Sequence, residues 1–190
     1  RQPSALTFSC GYHEEHEYAT VIRNITLSLG LNANIYVYPT SSSAEVKTSG
    51  NPVRTRQWQQ WFSQFSTHKR VPPWCCCLSE ESRCELLAGY FDGDGHFAVS
   101  EKENRATART ASLNLALGLQ RVLWSLGTPA TVCPVTVGRH YNLSFPTAQC
   151  PALRRYSIKH FERDLRQTSK IHGFWHAGRM YLPIRQIQAV

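Results

Sequence analysis

Two aspartates end an apolar run in the middle of the chain, where the sequence reads LLAGYFDGDGHF from Leu86 to Phe97. Asp92 and Asp94 offer carboxylates two positions apart, and carboxylate oxygens are ligands for divalent cations. Gly89 and Gly93 lie in the same run, although a glycine inside a helix costs about 1 kcal/mol relative to alanine. These residues predict a helix that a second element approaches closely and that ends in carboxylates.

The segment 80–91 is predicted to be helical, with Ser79 as its N-cap and two glutamates in its first turn. Gly89 and Gly93 are four positions apart, so they share one face and let another helix approach. Two such helices side by side would bring two carboxylates together at one end. Mg²⁺, or Mn²⁺ in its place, takes one or two protein carboxylates and keeps other positions for water and phosphate oxygens. Such a pair of helix ends could therefore hold a metal ion, and a metal ion near a phosphodiester activates water and neutralises developing charge.

Three other interpretations of this segment compete with a metal site. Asp92 and Gly95 suit an acidic turn between a helix and a strand, and the pattern taken alone favours this structural role. An EF-type calcium loop is disfavoured because Phe97 stands where the sharp turn needs glycine. A phosphate-binding loop is disfavoured because the spacing fits neither G-x-G-x-x-G nor G-K-[ST].

Composition predicts a globular chain with a polyanionic partner. The 190 residues are 42% hydrophobic, and 21 Lys and Arg against 13 Asp and Glu give a net charge of +8. Such a charge favours nucleic acid. No apolar run approaches the roughly 18 residues of a membrane span, and RQPSALTFSC lacks a signal pattern, so we expect a cytoplasmic or nucleoid-associated protein without a membrane partner. The seven cysteines form no C-x-x-C pair and are predicted to be reduced thiols.

Two stretches of the chain resemble one another and predict an internal repeat. They read VIRNITLSLGLNANIYVYP at 21–39 and LQRVLWSLGTPATVCPVTV at 119–137. Their Ser-Leu-Gly triplets begin at Ser28 and Ser125, which are 97 positions apart (125 minus 28). Each combines a helical apolar period with a strand-like run, which is typical of an α+β chain. The same subtraction places a first-half partner of Leu87 at −10, before Arg1.

The repeat divides the chain into predicted elements and parts. Helices are predicted at 13–29, 54–65, 80–91, 112–126 and 152–165, and strands at 34–39, 44–48, 130–137 and 141–145. The aromatic residues of the second helix, which include Phe65, are predicted to be core. The predicted parts are a first half at 1–66, a connection at 67–78, a second half at 79–170 and a return segment at 171–190.

The nine residues of 87–95 resemble the LAGLIDADG motif of homing endonucleases, with six identical positions. The block 68–72 is similar to the Lys-x-(apolar)-Pro block before the second motif of intein-encoded endonucleases. The segment 179–185 resembles the return into an intein's C-terminal splicing block. The chain is thus most similar to the endonuclease domain of an intein without its first motif and splicing termini. The resemblance implies two pseudo-repeated α-β-β-α-β-β-α halves with curved antiparallel sheets, the first half lacking its motif helix.

The resemblance also implies roles for individual residues. Asp94 matches the catalytic, metal-binding aspartate, with Gly93 beside it at the metal site, and Lys69 and Lys170 match active-site lysines. The implied helix interface consists of Leu86, Gly89, Tyr90 and Gly93. The implied activity is Mg²⁺- or Mn²⁺-dependent hydrolysis of a long double-stranded DNA site. We expect it to be impaired without the first motif. The full-length protein is expected to be a monomer with two pseudo-symmetric halves, and self-association of this chain could restore a two-aspartate centre.

The resemblance implies that the sheets lie along the major groove of DNA, so the candidates for DNA binding are residues on these sheets. They are His96, Ser100, Lys102, Arg105, Thr107, Arg109, Arg139, His140 and Asn142 in the second half, and Lys47 in the first. Arg and Asn read base edges, whereas Ser, Thr and Lys mostly contact phosphates. Alternation of inward Phe97 with outward His96 predicts one face on helices and one on DNA. The alternative function is a non-cleaving binder, such as an RNA maturase or a DNA-binding regulator.

Overall fold

The computed structural model describes residues 5–11, 16–41, 43–63, 65–99, 104–135, 139–147, 150, 174–176 and 179–181. It divides the chain into two compact units, Arg1–Trp61 and Phe62–Val190. The predicted helix at 152–165 lies outside the described residues, as do Ser100, Lys102 and Lys170. None of the helices in the described ranges combines the length and the apolarity that crossing a membrane requires.

The first unit is an antiparallel sheet with one helix on its inner face. Strands β1 (Thr7–Gly11), β2 (Asn32–Tyr38) and β3 (Ser43–Ser49) pair in the order β1-β3-β2. Helix α1 (His16–Ser28) packs against them, and α2 (Pro52–Phe62) follows β3. Alternation along β3 buries Ala44 and Val46 and leaves Glu45 and Lys47 on the outer face.

The second unit repeats the order of β1, α1, β2 and β3, and a helix and a strand come before that repeat. Helix α3 (Glu80–Asp94) leads into β4 (Gly95–Val99) and β5 (Asn104–Thr110), and α4 (Leu113–Ser125) into β6 (Thr131–Val135) and β7 (His140–Pro146). These strands form an antiparallel sheet in the order β4-β5-β7-β6. A short hairpin, β8 (Phe174–His176) and β9 (Arg179–Tyr181), comes last in the described chain. The predicted α+β class is confirmed.

The core of the second unit lies between its sheet and its two helices. Phe91 of α3 and Phe145 of β7 are almost fully buried, and their rings meet edge to face at 5.1 Å. Leu115, Leu119 and Leu123 of α4 and Leu143 of β7 belong to the same cluster. Gly118 brings the connecting segment close to α4, because a Cβ there would lie 2.7 Å from the Cβ of Val71. The connection is therefore packed onto the second unit.

The strand register shows the internal repeat residue by residue. Val46 pairs with Ile35 and Leu143 pairs with Val132, and both members differ by 97 (143 minus 46, 132 minus 35). Val46 and Leu143 pair on their other sides with Phe8 and Ala108, which differ by 100. The first unit therefore has three more residues between its β1 and α1 than the second has between β5 and α4.

Two helix C-termini differ from the prediction by three residues each. Helix α3 continues to Asp94, three residues beyond the predicted end, so both aspartates are helical. Helix α2 ends at Phe62 because Ser63 adopts a φ of 66°, which stops the helix before Phe65. The core position predicted for Phe65 is wrong, since 65% of that residue is exposed.

Candidate nucleic-acid interface and metal site

Local sequence fixes both ends of α3 and so positions Asp94. The Ser79 hydroxyl accepts a hydrogen bond from the Ser82 backbone N–H at 3.2 Å, as an N-cap does. At the other end the Gly95 N–H donates to the Phe91 carbonyl oxygen. A Cβ on Gly95 would lie 2.6 Å from the Phe91 ring and 2.8 Å from its Cα, so no larger residue fits without movement. Asp94 is therefore held at the junction between helix and strand.

The two faces of α3 differ in what covers them. One face, which includes Leu87, Phe91 and Asp92, is buried in the core. The other carries the predicted interface residues Leu86, Gly89, Tyr90 and Gly93. Both glycines are exposed, and a Cβ on either would meet no heavy atom within 4 Å in the described part of the chain. Asp92 is thus buried, whereas Asp94 is exposed and open to a ligand.

Asp94 offers one carboxylate toward a metal ion. Within the residues that the structure describes, no three His, Cys, Asp or Glu side chains are close enough to hold a metal ion. Gly93 can add only its backbone carbonyl oxygen. Mg²⁺ needs as few as one or two protein carboxylates when water and phosphate complete its shell. Asp94 would therefore suit a metal ion only if most of the other ligands came from outside the described residues.

Tyr90 lies one helical turn before Asp94 and is partly buried against the core of the second unit. Burial, and secondarily the negative charge of Asp94, raise the pKa of Tyr90 to about 12. Its hydroxyl is buried without a hydrogen-bond partner among the described residues. The site thus contains a neutral phenol next to its exposed carboxylate.

Lys69 lies on a different element from Asp94, in the connection before α3. Its side chain is exposed, and its N–H donates to the Phe65 carbonyl oxygen at 3.0 Å. Its own carbonyl oxygen accepts a hydrogen bond of 2.5 Å from the hydroxyl of Ser112, which caps α4. The backbone of this predicted active-site lysine is therefore fixed to the second unit. Lys170 lies outside the described residues.

The outer face of the second sheet brings several predicted DNA-binding residues together. Strand pairing places His96 beside Thr107, Thr107 beside Ser144, and Ser144 beside Thr131, so one polar row crosses four strands. A neighbouring row contains Arg109 and Asn142, whose side chains share a 3.2 Å hydrogen bond. Arg105 also faces outward, and Arg139 and His140 are exposed at the start of β7.

This outer face is basic. None of the strands β4, β5, β6 and β7 contains Asp or Glu, and β5 contributes two arginines. On the inner side the alternate residues of β5 and β7, including Ala106 and Phe145, are buried against the helices. The helices thus cover one face of the sheet, and the positive charge lies on the other.

Lys47 lies on the outer face of the first sheet, and its ammonium group contacts neighbouring side chains. Its ammonium group is 3.0 Å from the Glu45 carboxylate and donates to the Tyr38 hydroxyl at 3.1 Å. It also lies 5.1 Å from the centre of the Tyr36 ring. The hydrogen bonds to Glu45 and then Tyr38 raise the pKa of Lys47. A phosphate contact by Lys47 would therefore compete with Glu45.

Sequence reasoning missed Thr131, Ser144 and Asn34 as members of these faces. Thr131 and Ser144 are 3.0 Å apart on the outer face of the second sheet. Asn34 pairs with Lys47 in the first unit, at the position that Thr131 and Ser144 occupy in the second. The alternation of buried and polar residues in β7 was the signal for Ser144.

Comparison with known proteins supports this architecture. Residues 81–140 match the model of the LAGLIDADG-like domain family. The crystal structure of I-DmoI in complex with DNA and Mn is similar, with a TM-score of 0.55, 10% identity, and coverage of 82% of this chain and 81% of that one. The chain has the LAGLIDADG homing-endonuclease fold. Curated protein sequences give no match.

Two further structures share the LAGLIDADG fold. Mesophilic variants of I-DmoI match with a TM-score of 0.59 and 11% identity, covering 83% of this chain and 82% of that one. The N-terminal LAGLIDADG domain of DUF199/WhiA matches with a TM-score of 0.54 and 11% identity, covering 80% and 73%. The family match contains Asp94 and the residues of β5, but not Lys47, Lys69 or Asn142.

Proposed function

We propose that this chain is the DNA-binding and hydrolytic part of a LAGLIDADG homing endonuclease encoded within an intein. Its substrate is a long double-stranded DNA site, and its cofactor is Mg²⁺ or Mn²⁺. The observation that carries the proposal is the basic outer face of the second sheet, which begins one residue after the exposed Asp94. A strand that binds DNA at this face holds the carboxylate next to the DNA backbone.

The side chains of the outer face have different roles in DNA recognition. Arg105, Arg109 and Asn142 carry the donors that read guanine and adenine edges, and the hydrogen bond between Arg109 and Asn142 fixes their relative orientation. Thr107 and Ser144 have shorter hydroxyl side chains, which suit phosphate contacts. We therefore assign sequence specificity to the arginines and positioning along the DNA to the row of hydroxyl side chains.

Asp94 and Lys69 are the proposed hydrolytic residues of the described chain. Asp94 supplies one carboxylate to the metal ion, and Lys69 polarises the scissile phosphate or the attacking water. A bound divalent ion activates water and neutralises the charge that develops on the phosphate. Only one motif aspartate of this kind is exposed in the described residues, so we expect cleavage of one strand in preference to both.

A nicking assay on selected DNA tests this function. The chain would first select sites from a random double-stranded library, and supercoiled plasmids with the selected site would then be incubated with Mg²⁺, Mn²⁺ or Ca²⁺. We expect nicking by the unaltered chain with Mg²⁺ or Mn²⁺. Asp94→Asn should lower the rate by at least about a hundredfold while it preserves affinity, because the lost interaction acts on the chemical step.

Glu85→Gln is the matched control for Asp94→Asn. Glu85 is an exposed acidic residue of the same helix, and the change removes the same charge. It should nick at the rate of the unaltered chain. Equal nicking by Asp94→Asn and Glu85→Gln would rule out Asp94 as a metal ligand.

A non-cleaving nucleic-acid binder is the second candidate function. It is favoured by the lack, among the described residues, of a group of side chains that could hold a metal ion without outside ligands. Tight, site-selective binding without nicking under any of the three metal ions would support this candidate. Preference for RNA over the selected duplex would point to a maturase-like role.

The intein origin rests on the segments 68–72 and 179–185, which resemble blocks of intein-encoded endonucleases. The reading frame around the sequence of this chain tests the intein origin. A LAGLIDADG-like motif upstream and a terminal His-Asn downstream would support an intein. A continuous frame without either would leave the endonuclease proposal standing but remove its link to protein splicing.

A further inference from the structure

The central strand of the first sheet, β3, carries an ion pair on its outer face. The Lys47 ammonium nitrogen lies 3.0 Å from Oε2 of Glu45, and 42% of the Lys47 side chain and 29% of the Glu45 side chain are exposed. The Tyr38 hydroxyl accepts from Lys47 at 3.1 Å and donates to the same Oε2 at 3.4 Å. A carboxylate accepts at about four sites and an ammonium group has three donors. Both charged groups therefore keep hydrogen-bonding capacity for a ligand.

The internal repeat relates Glu45 to a residue of the second sheet that carries a fixed polar contact. By the 97-residue offset of the paired strands, Glu45 corresponds to Asn142 (142 minus 45). Ser9 of β1, which pairs with Glu45, corresponds to Arg109 by the offset of 100 (109 minus 9). Asn142 is held by Arg109 across two strands, whereas Glu45 is held by Lys47 of its own strand. The same register position thus has a fixed polar side chain in both sheets.

The first sheet differs from the second in its charge. Glu45 and Lys47 are the charged residues of the strands β1, β2 and β3, so these strands have no net charge. A carboxylate close to DNA phosphates lowers affinity because like charges repel. It gains an interaction where a base donates to it, and the donors in the major groove are the amino groups of cytosine and adenine. Glu45 is therefore better suited to a base edge than to the DNA backbone.

The major-groove edge of a G·C base pair matches the charges of this ion pair. Guanine presents the acceptors N7 and O6, and the N4 amino group of the paired cytosine is a donor beside them. A lysine that donates to guanine and a glutamate that accepts from cytosine are the favoured pairings for these two side chains. Adenine offers an ammonium group one acceptor instead of two. Two adjacent opposite charges therefore fit a G·C pair better than an A·T pair.

We propose that Glu45 and Lys47 are specificity-determining residues that together read one G·C base pair in the major groove. Glu45 accepts a hydrogen bond from the cytosine N4 amino group, and Lys47 donates to O6 or N7 of the paired guanine. This inference rests on the proposed function, because it requires that the outer face of the first sheet bind double-stranded DNA. Lys47 then contacts a base as long as Glu45 holds it, and it turns to a phosphate when Glu45 is removed.

Selection from a random double-stranded library, without a divalent metal ion, tests this readout independently of cleavage. The unaltered chain and Glu45→Ala would each select sites. We expect Glu45→Ala to lose a preference for G·C of at least about fivefold at one position and to keep its other preferences. On a scrambled duplex it should bind more tightly, and its slope of log affinity against log salt should be steeper by about 0.9, because Lys47 gains a phosphate contact. Specificity and affinity thus change in opposite directions.

Three further variants control for charge and for folding. Glu85→Ala removes the same charge from an exposed position of α3 and should change neither the G·C preference nor the salt slope. Lys47→Ala combined with Glu45→Ala should return the salt slope to that of the unaltered chain. Glu45→Val covers the case in which alanine destabilises β3, because valine favours strands and accepts no hydrogen bond through its side chain.

An altered base tests the cytosine amino group in the unaltered chain. The base 2-pyrimidinone lacks this amino group, and it would replace each cytosine of the selected site in turn. At one cytosine we expect it to weaken binding of the unaltered chain at least about fivefold more than binding of Glu45→Ala, because only the unaltered chain has a carboxylate that uses the amino group.

The outcomes separate this inference from the proposed function. If the chain selects no duplex at all, the proposed function fails and the base readout fails with it. If the chain selects a site and both Glu45→Ala and Glu45→Val keep every base preference, only the readout by Glu45 is wrong. Equal losses for the unaltered chain and Glu45→Ala at every 2-pyrimidinone would show that weaker base pairing causes them, which also contradicts a contact between Glu45 and the amino group.

Discussion

The Ser112 hydroxyl donates a hydrogen bond of 2.5 Å to the backbone carbonyl oxygen of Lys69, 43 residues earlier in the chain. The same hydroxyl accepts the Leu115 backbone N–H at 3.2 Å and so caps α4. One fully buried serine therefore begins a core helix and anchors the segment of a predicted active-site lysine. This contact connects the stability of the fold with the position of Lys69.

Ser112→Ala should therefore cost more than the loss of an ordinary helix cap. A serine cap contributes about 0.5–2 kcal/mol, and here the Lys69 carbonyl also loses its partner. We expect a loss of about 2 kcal/mol or more in the free energy of unfolding, measured by urea denaturation. Ser79→Ala is the matched control, because Ser79 caps α3 from an exposed position. Equal losses would mean that the bond to Lys69 adds nothing.

The glycines of α3 and its neighbourhood should respond to alanine in opposite ways. Gly89→Ala and Gly93→Ala meet no atom within 4 Å and should each stabilise the helix by about 1 kcal/mol. Gly118→Ala should destabilise, because the new Cβ would lie 2.7 Å from the Val71 Cβ. Thermal unfolding of the three variants measures the contrast. Destabilisation by Gly89→Ala would indicate that a close partner already covers this face.

The sequence predicted the fold wherever a local signal fixed an element. The N-cap Ser79 and the apolar period of α4 are local, and the structure confirms them. The C-terminus of α2 was predicted too late in the chain, because Ser63 takes a left-handed backbone conformation that its residue type does not indicate.

The parts of the site that depend on register could not be predicted. The polar row of His96, Thr107 and Ser144 exists only because β4, β5 and β7 pair in this register. The ion pair between Lys47 and Glu45 likewise depends on the conformations of two exposed side chains. Alternation along β3 places both residues on one face, but it does not show that their side chains meet.

Tyr90 should make the chain less stable in alkaline solution. Its folded-state pKa is raised to about 12 from the ordinary 10, so the folded chain keeps this proton where the unfolded chain loses it. This pKa difference contributes to the free energy of unfolding, and that contribution is fully present below pH 10 and declines as the pH rises from 10 to 12. Urea midpoints measured across this range should fall less steeply for Tyr90→Phe.

Tyr36→Phe controls for the loss of a phenol in that experiment, because Tyr36 lies on the exposed face of β2. Below pH 10, Tyr90→Phe should also be neutral or slightly stabilising, since it removes a buried hydroxyl without a partner among the described residues. Identical pH profiles for Tyr90→Phe and the unaltered chain would contradict the assigned cause.

Arg109 and Asn142 should act as a pair in DNA recognition. Arg109→Ala should weaken binding to the selected site by about 5–150-fold, the range for losing one bidentate base contact. Asn142→Ala removes the acceptor that orients the Arg109 guanidinium, so the double variant should lose less than the product of the two single effects. Affinities at several salt concentrations, on the selected and a scrambled site, measure these losses.

Arg121→Ala is the matched control for that series. Arg121 is exposed on α4, on the helical side of the same unit, and the change removes the same charge. It should reduce affinity only slightly and equally for both DNA sequences, because a distant charge contributes through screened attraction. Lys47→Ala should fall between the two, because Glu45 already neutralises that ammonium group. If Arg121→Ala and Arg109→Ala weaken binding equally, the sheet face does not read DNA.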